Sequence, residues 1–123
     1  MADFSVNLYV FCRRYMIRHE YIHNDKFEFE GGGSIEGLKV VYHTSERPWA
    51  KGDSRKVIWI CHALTANSDA EDWWPELVGP GKFFDTEKYF VVCANMLGSA
   101  YGSSGPASIN PDTGRPYFFD FPL

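Results

Sequence analysis

Polar and apolar residues follow two rhythms along this chain, one alternating and one continuous. Lys26 to Glu30 alternates, with Phe27 and Phe29 on one side and Glu28 and Glu30 on the other, as a half-buried strand does. Gly31-Gly32-Gly33 breaks the pattern, and Leu38 to His43 is β-rich again. Lys26 to Thr44 therefore reads as a strand, a glycine turn and a returning antiparallel strand. Val57 to Cys61 and Tyr89 to Ala94 are apolar without alternation, which predicts parallel strands covered on both faces. Between them, Ser68 to Val78 carries first-turn acids and ends at Gly79-Pro80-Gly81, while Pro75 limits it to a short helical stretch. Two buried strands joined by such a crossover predict a right-handed β-α-β unit. The expected fold class is α/β: an antiparallel pair, then a β-α-β unit of a mixed sheet. Ser45 to Lys56 is a polar connection, and Asn95 to Pro116 is a long Gly/Ser/Pro/Asn loop.

Composition narrows the function classes. The 123 residues suit one domain with a modest core, and an aromatic content of 17% argues against disorder. Formal charge is −4 and the longest basic run near the start is Arg13-Arg14, so the footprint of a nucleic-acid binder is missing. No apolar run approaches the roughly 20 residues of a membrane helix. Phe4 to Cys12 is apolar-rich, but Asp3 precedes it and Arg13-Arg14 follow, reversing the charge order of a secretory signal. No membrane partner is expected, and the location expected is cytoplasmic. Of the three cysteines, Cys12, Cys61 and Cys93, the last two sit inside apolar runs and read as buried, reduced thiols. Clear strand and turn signals begin only after Met16, so residues 1–16 read as an N-terminal extension, with Met16 as the functional start.

Several short motifs fail on context. His19-Glu20-Tyr21-Ile22-His23 matches H-E-x-x-H, but Asn24-Asp25 follows at once and leaves too little helix to present both imidazoles to zinc. No metal is expected. Gly32 and Gly37 have the spacing of a phosphate-binding loop, yet Leu38 stands where its lysine belongs. Gly98, Gly102 and Gly105 lack the dinucleotide-binding spacing. In Gly98-Ser99-Ala100-Tyr101-Gly102 the serine stands one place too early for a G-x-S-x-G nucleophile elbow. Cys61 and Cys93, interior to strands, are poor nucleophile candidates.

His62-Ala63-Leu64-Thr65, at the exit of the third strand, is different. In hydrolase-like α/β sheets this junction supplies one backbone N–H of an oxyanion hole. Leu64, following the histidine and small residue, is the candidate donor, with His62 and Ala63 supporting it. A histidine that merely closes a strand end accounts for the same residues.

Longer segments go further. Cys61-His62-Ala63-Leu64-Thr65, Trp73-Trp74, Leu77-Val78-Gly79-Pro80-Gly81-Lys82, Asp85-Thr86, Tyr89-Phe90-Val91-Val92-Cys93, Asn95-Met96-Leu97-Gly98, Tyr101-Gly102-Ser103, Gly105-Pro106, Ser108-Ile109-Asn110-Pro111 and Thr113-Gly114-Arg115-Pro116-Tyr117 resemble, in order, the N-terminal portion of homoserine O-acetyltransferases. The resemblance runs from about residue 17 onward. It implies an α/β-hydrolase fold, with 17–123 as the N-terminal portion of that domain. It also implies an enzyme of methionine biosynthesis in which a Ser-His-Asp triad moves an acetyl group from acetyl-CoA to the hydroxyl of L-homoserine through a serine acyl-enzyme. Acetyl-CoA would be a co-substrate, with no bound cofactor, and the full-length enzyme would be a homodimer.

The resemblance carries one site position onto this chain, the Leu64 N–H. The family's triad lies beyond the matched portion, and Asp120 and the four histidines match none of its positions. This chain alone is therefore expected to be inactive. Rival readings are a relative that uses succinyl-CoA or serine, a hydrolase, and a catalytically dead binding or assembly module.

Overall fold

The computed structural model describes residues 13–122. Cys12 and most of the expected N-terminal extension lie outside the described residues. Four strands form one mixed sheet: β1 (Met16–Glu28), β2 (Ser34–Ser45), β3 (Lys56–Ile60) and β4 (Tyr89–Ala94), in the order β1-β2-β4-β3. The first two pairings, β1 with β2 and β2 with β4, are antiparallel, and β3 runs parallel to β4. The crossover from β3 to β4 contains one short helix, α1 (Ala70–Trp73). Past β4, Ile109–Asn110 and Arg115–Pro116 form a small separate hairpin, β5 and β6.

The hairpin β1-β2 is longer than the alternation predicts, for β1 starts at Met16 rather than Lys26. Its first part hides from pattern reading because no apolar alternation marks it: Met16 is buried, but His19 and His23 are half-buried and Tyr21 is exposed. Asn24-Asp25, which the pattern reads as cutting short any helix over 19–23, is a bulge within the strand. The register passes from His23↔Leu38 to Lys26↔Glu36, so both residues oppose Gly37 alone. Gly37 meets this with φ +65. The predicted faces of Phe27 and Phe29 are correct, and both pack against Ile35, Leu38, Tyr117 and Phe121 in a small core under the hairpin arm.

The main core lies on one side of the sheet. Met16, Ile60, Val91 and Cys93 from the strands meet Ala70 and Val78 from the crossover, with Ile58, Trp73, Phe84 and Tyr89 at the margin. β4 is central and its Val91 and Cys93 are sealed, as its continuous apolar run predicts. The same prediction for β3 is corrected. Ile58 and Ile60 turn inward, but Val57 is 52% and Trp59 61% exposed. The reason is position: β3 is an edge of this sheet, and among the described residues nothing packs on its second face. Cys61 is corrected with it. It is exposed, one residue past the strand end, because the ladder with β4 stops at Ile60↔Cys93.

The connection between β2 and β3 is pinned by Arg55, whose guanidinium donates to Arg47 O, Pro48 O and both carboxylate oxygens of Asp53. That contact holds the Asp53 carboxyl down at about 2.

An apolar parallel edge with an open ladder recruits other strands. The isolated 123-residue chain should therefore self-associate, and Trp59→Lys should shift it toward monomer in light scattering. A monomeric parent with a sharp cooperative melt would contradict this.

Candidate functional site

The two parallel strands end side by side, and their exits are joined by side chains instead of ladder bonds. His62, just past β3, receives the Met96 N–H on Nε2 at 3.1 Å and directs Nδ1 at Ala63 O, 2.8 Å away. This pair of contacts selects the neutral imidazole with its hydrogen on Nδ1. Ala66 N–H donates to Ala63 O at 2.9 Å and closes a tight turn over 63–66. Leu64 stands at the head of that turn, 98% exposed. Its N–H has no acceptor among the described residues.

Asn95, the first residue after β4 and 3% exposed, is the hub of the same region. Its Oδ1 accepts the Ser68 N–H at 2.7 Å, and its Nδ2 donates to Tyr101 O at 2.9 Å. Its backbone N–H donates to Val41 O, and its carbonyl accepts the Ser103 hydroxyl. Ser103 Oγ in turn accepts the Val41 N–H and Ser104 Oγ the Lys39 N–H, both at 2.9 Å. The loop after β4 thereby lies along β2 and satisfies backbone groups that no strand pairs. Gly102 is required for this approach: its φ is +101, and a Cβ there would stand 2.9 Å from Val41 Cγ2.

His62, Ala63 and Leu64 thus lie together at the strand ends. Sequence reading missed Asn95, whose available signal was a lone amide ending an apolar strand. It also missed a second cluster. His43 lies 2.8 Å from Ser68 Oγ through Nδ1 and 3.9 Å from Asp69 Oδ2 through Nε2. The composition is that of a triad, but Ser68 is fully buried and its hydroxyl is closed off from any acyl group. Asp69 is shared with Arg14. We read this cluster as structural, a tie from β2 to the crossover.

Residues 19–23 form strand rather than helix, so H-E-x-x-H lacks its helical geometry. His19 Nε2 pairs with Thr44 Oγ1 at 2.9 Å, and His23 Nδ1 with Tyr21 Oη at 3.2 Å. Among the described residues no three His, Cys, Asp or Glu side chains gather around a possible ion, and no helix is long and apolar enough to cross a membrane. Burial pushes the Cys93 thiol up to about 11, the state of an unreactive interior cysteine.

No protein-family model matches the chain. A homoserine O-acetyltransferase of Deferribacter desulfuricans is 42% identical over 119 residues, covering 88% of this chain and 31% of that protein. The crystal structure of homoserine O-acetyltransferase from Bacillus anthracis matches with TM-score 0.72 at 32% identity, over 90% of this chain and 33% of that one. This chain is similar in sequence and fold to homoserine O-acetyltransferases. A crystallised esterase matches equally well, with TM-score 0.72 at 30% identity over 88% of this chain and 33% of that one. The sheet is accordingly part of an α/β-hydrolase fold. The chain spans 31% of the length of the Deferribacter homoserine O-acetyltransferase.

Burial lowers the His43 pKa, only partly opposed by Asp69, while Arg14, Arg18 and His19 push the same way as burial. The sign follows from linkage: the neutral imidazole is favoured on folding, so its stabilisation is complete above about pH 6.5 and is lost as pH falls below that toward the folded pKa. In the Trp59→Lys background, His43→Gln should flatten the fall in melting temperature between about pH 7 and 5 relative to Trp59→Lys alone. Parallel curves for the two proteins would refute the assignment.

Proposed function

We propose that this chain supplies the oxyanion-hole side of an acyltransferase that moves an acetyl group from acetyl-CoA to the hydroxyl of L-homoserine, a step of methionine biosynthesis. The single observation that carries the reading is the unpartnered Leu64 N–H on a braced turn at the ends of parallel strands. The relatives' similarity supports it. In α/β sheets ligands lie outside the carboxyl ends of the strands, which is where Leu64 stands.

In this reading a serine, activated by a histidine and an aspartate from the remainder of the enzyme, attacks the thioester carbonyl carbon. The carbonyl oxygen takes up negative charge and receives the Leu64 N–H together with the N–H of the residue after the serine. The C–S bond then breaks, coenzyme A leaves as thiol with the proton the histidine carried, and an acetyl-serine ester remains. Attack by the homoserine hydroxyl reverses the sequence, frees the serine and releases O-acetylhomoserine. His62 takes no proton in this scheme; it holds the turn. A cytoplasmic location belongs to the same proposal.

Hydrolysis is the second reading, and the likeness to an esterase favours it. An acyl-enzyme passes its group to water wherever the acceptor site admits water.

The test is a chimaera in which this chain replaces the matching segment of the Deferribacter enzyme, assayed with acetyl-CoA and homoserine. Leu64→Ala, which keeps the N–H, should stay within about threefold of the parent, since only an exposed side chain is lost. Leu64→Pro, which removes the N–H, should lose about 10²- to 10³-fold in kcat. Equal activity of the two variants would sink the oxyanion role. Acetate in place of O-acetylhomoserine as the product would select hydrolysis.

A further inference from the structure

The turn bearing Leu64 is held at both ends by two consecutive residues of another strand's exit. At its start, His62 Nε2 takes the Met96 N–H at 3.1 Å. At its finish, the Ser68 N–H is held by Asn95 Oδ1 at 2.7 Å. Residues 63–67 are thus suspended between positions 95 and 96 of the segment leaving β4. A third contact reaches the middle: Tyr101 Oη donates to Thr65 O at 3.3 Å, and the Tyr101 carbonyl is itself fixed by Asn95 Nδ2 at 2.9 Å. Asn95 therefore governs two of the three contacts, directly at Ser68 and through the Tyr101 backbone at Thr65.

We infer that Asn95 and Tyr101 are positioning residues that aim the Leu64 N–H, Asn95 by anchoring the end of its turn and Tyr101 by restraining the Thr65–Ala66 peptide within it. The inference rests on the oxyanion reading of Leu64 and adds to it what sets the donor's direction. The physical argument concerns reorganisation. A backbone donor contributes to a transition state in proportion to how little it must move when charge develops. Leu64 is solvent-exposed and its N–H has no acceptor among the described residues, so its aim is set by what holds the Ala63–Leu64 peptide: Ala63 O is bonded by the Ala66 N–H and by His62 Nδ1. The Thr65 carbonyl, partner of the Tyr101 hydroxyl, belongs to the Thr65–Ala66 peptide, whose N–H donates to Ala63 O, the carbonyl of the very peptide that carries the Leu64 N–H. The two residues also divide the labour by burial: Asn95 is sealed, whereas Tyr101 is 46% exposed and its hydroxyl can be removed without opening a cavity.

The experiment uses the same chimaera with Tyr101→Phe, and Asn95→Ala beside it. Tyr101→Phe should lower kcat roughly three- to tenfold, the worth of one neutral hydrogen bond, with the KM for acetyl-CoA and the melting temperature unchanged. Asn95→Ala should lower kcat further, and the double variant should fall by less than the product of the two losses, since Asn95 acts partly through Tyr101. Hydrogen exchange at the Ala66 amide, which bonds Ala63 O, should quicken in both single variants. If Tyr101→Phe leaves both kcat and that exchange rate at parental values in an active chimaera, the inference is overturned while the oxyanion reading survives. An inactive but folded parent chimaera instead removes the functional reading, and the inference with it.

Discussion

The buried amide of Asn95 is the interaction on which this end of the molecule depends. Where a parallel ladder stops, the backbone groups of the exiting segments lose their partners while still lying against an apolar core. Each polar group left buried and unpaired costs about 1–3 kcal/mol. A primary amide answers with acceptor and donor at once, and Asn95 spends one on the crossover through Ser68 and the other on the loop at Tyr101. Three segments that share no ladder are thereby held in register by one side chain.

The serines extend the same solution across β2. Beyond Tyr42↔Ala94 no strand pairs with the β4 side of β2, and the hydroxyls of Ser103 and Ser104 accept the N–H groups of Val41 and Lys39 instead. The Ser104 N–H donates to Lys39 O at 2.8 Å. The loop thus acts as a strand substitute assembled partly from side chains. Because side-chain bonds, unlike ladder bonds, do not demand an extended backbone, the loop is free to turn back over the strand ends. That freedom brings Tyr101 within reach of Thr65. An irregular segment can be more useful at such a place than a fifth strand would be.

Legibility in the sequence followed the uniqueness of each pattern. β4 was readable to the residue because a strand with neighbours on both sides has one compatible pattern, a continuous apolar run. β3 carries the same pattern at an edge, so its exposed Val57 and Trp59 could not be foreseen from residue types alone. The first half of β1 was missed because histidine and tyrosine occupy its alternating positions, and the bulge at Asn24-Asp25 imitates a boundary. At the candidate site, His62-Ala63-Leu64 was singled out because it breaks the apolar run of the third strand at its exit. Asn95, Tyr101, Ser103 and Ser104 were not, since the same residues compose ordinary turns. Their importance lies in contacts to residues far earlier in the chain, 27 positions from Asn95 to Ser68 and 36 from Tyr101 to Thr65, which local pattern does not encode.

The contrast between the two clusters near the strand ends shows why geometry must outrank composition in reading chemistry. Ser68, His43 and Asp69 are the residue types of a hydrolytic triad, and Ser68 and His43 are in hydrogen-bond contact. Yet the serine hydroxyl is sealed, and a nucleophile must reach a carbonyl carbon. Leu64 offers nothing by type, being an aliphatic residue whose side chain lies in solvent. What it offers is a donor that is open, unspent and attached to a turn braced at both ends and in the middle. Electrostatic catalysis requires those properties of a group, whatever residue carries it. Burial turns the first cluster into a cross-tie, while the Leu64 amide, with no acceptor among the described residues, is open to the role proposed for it.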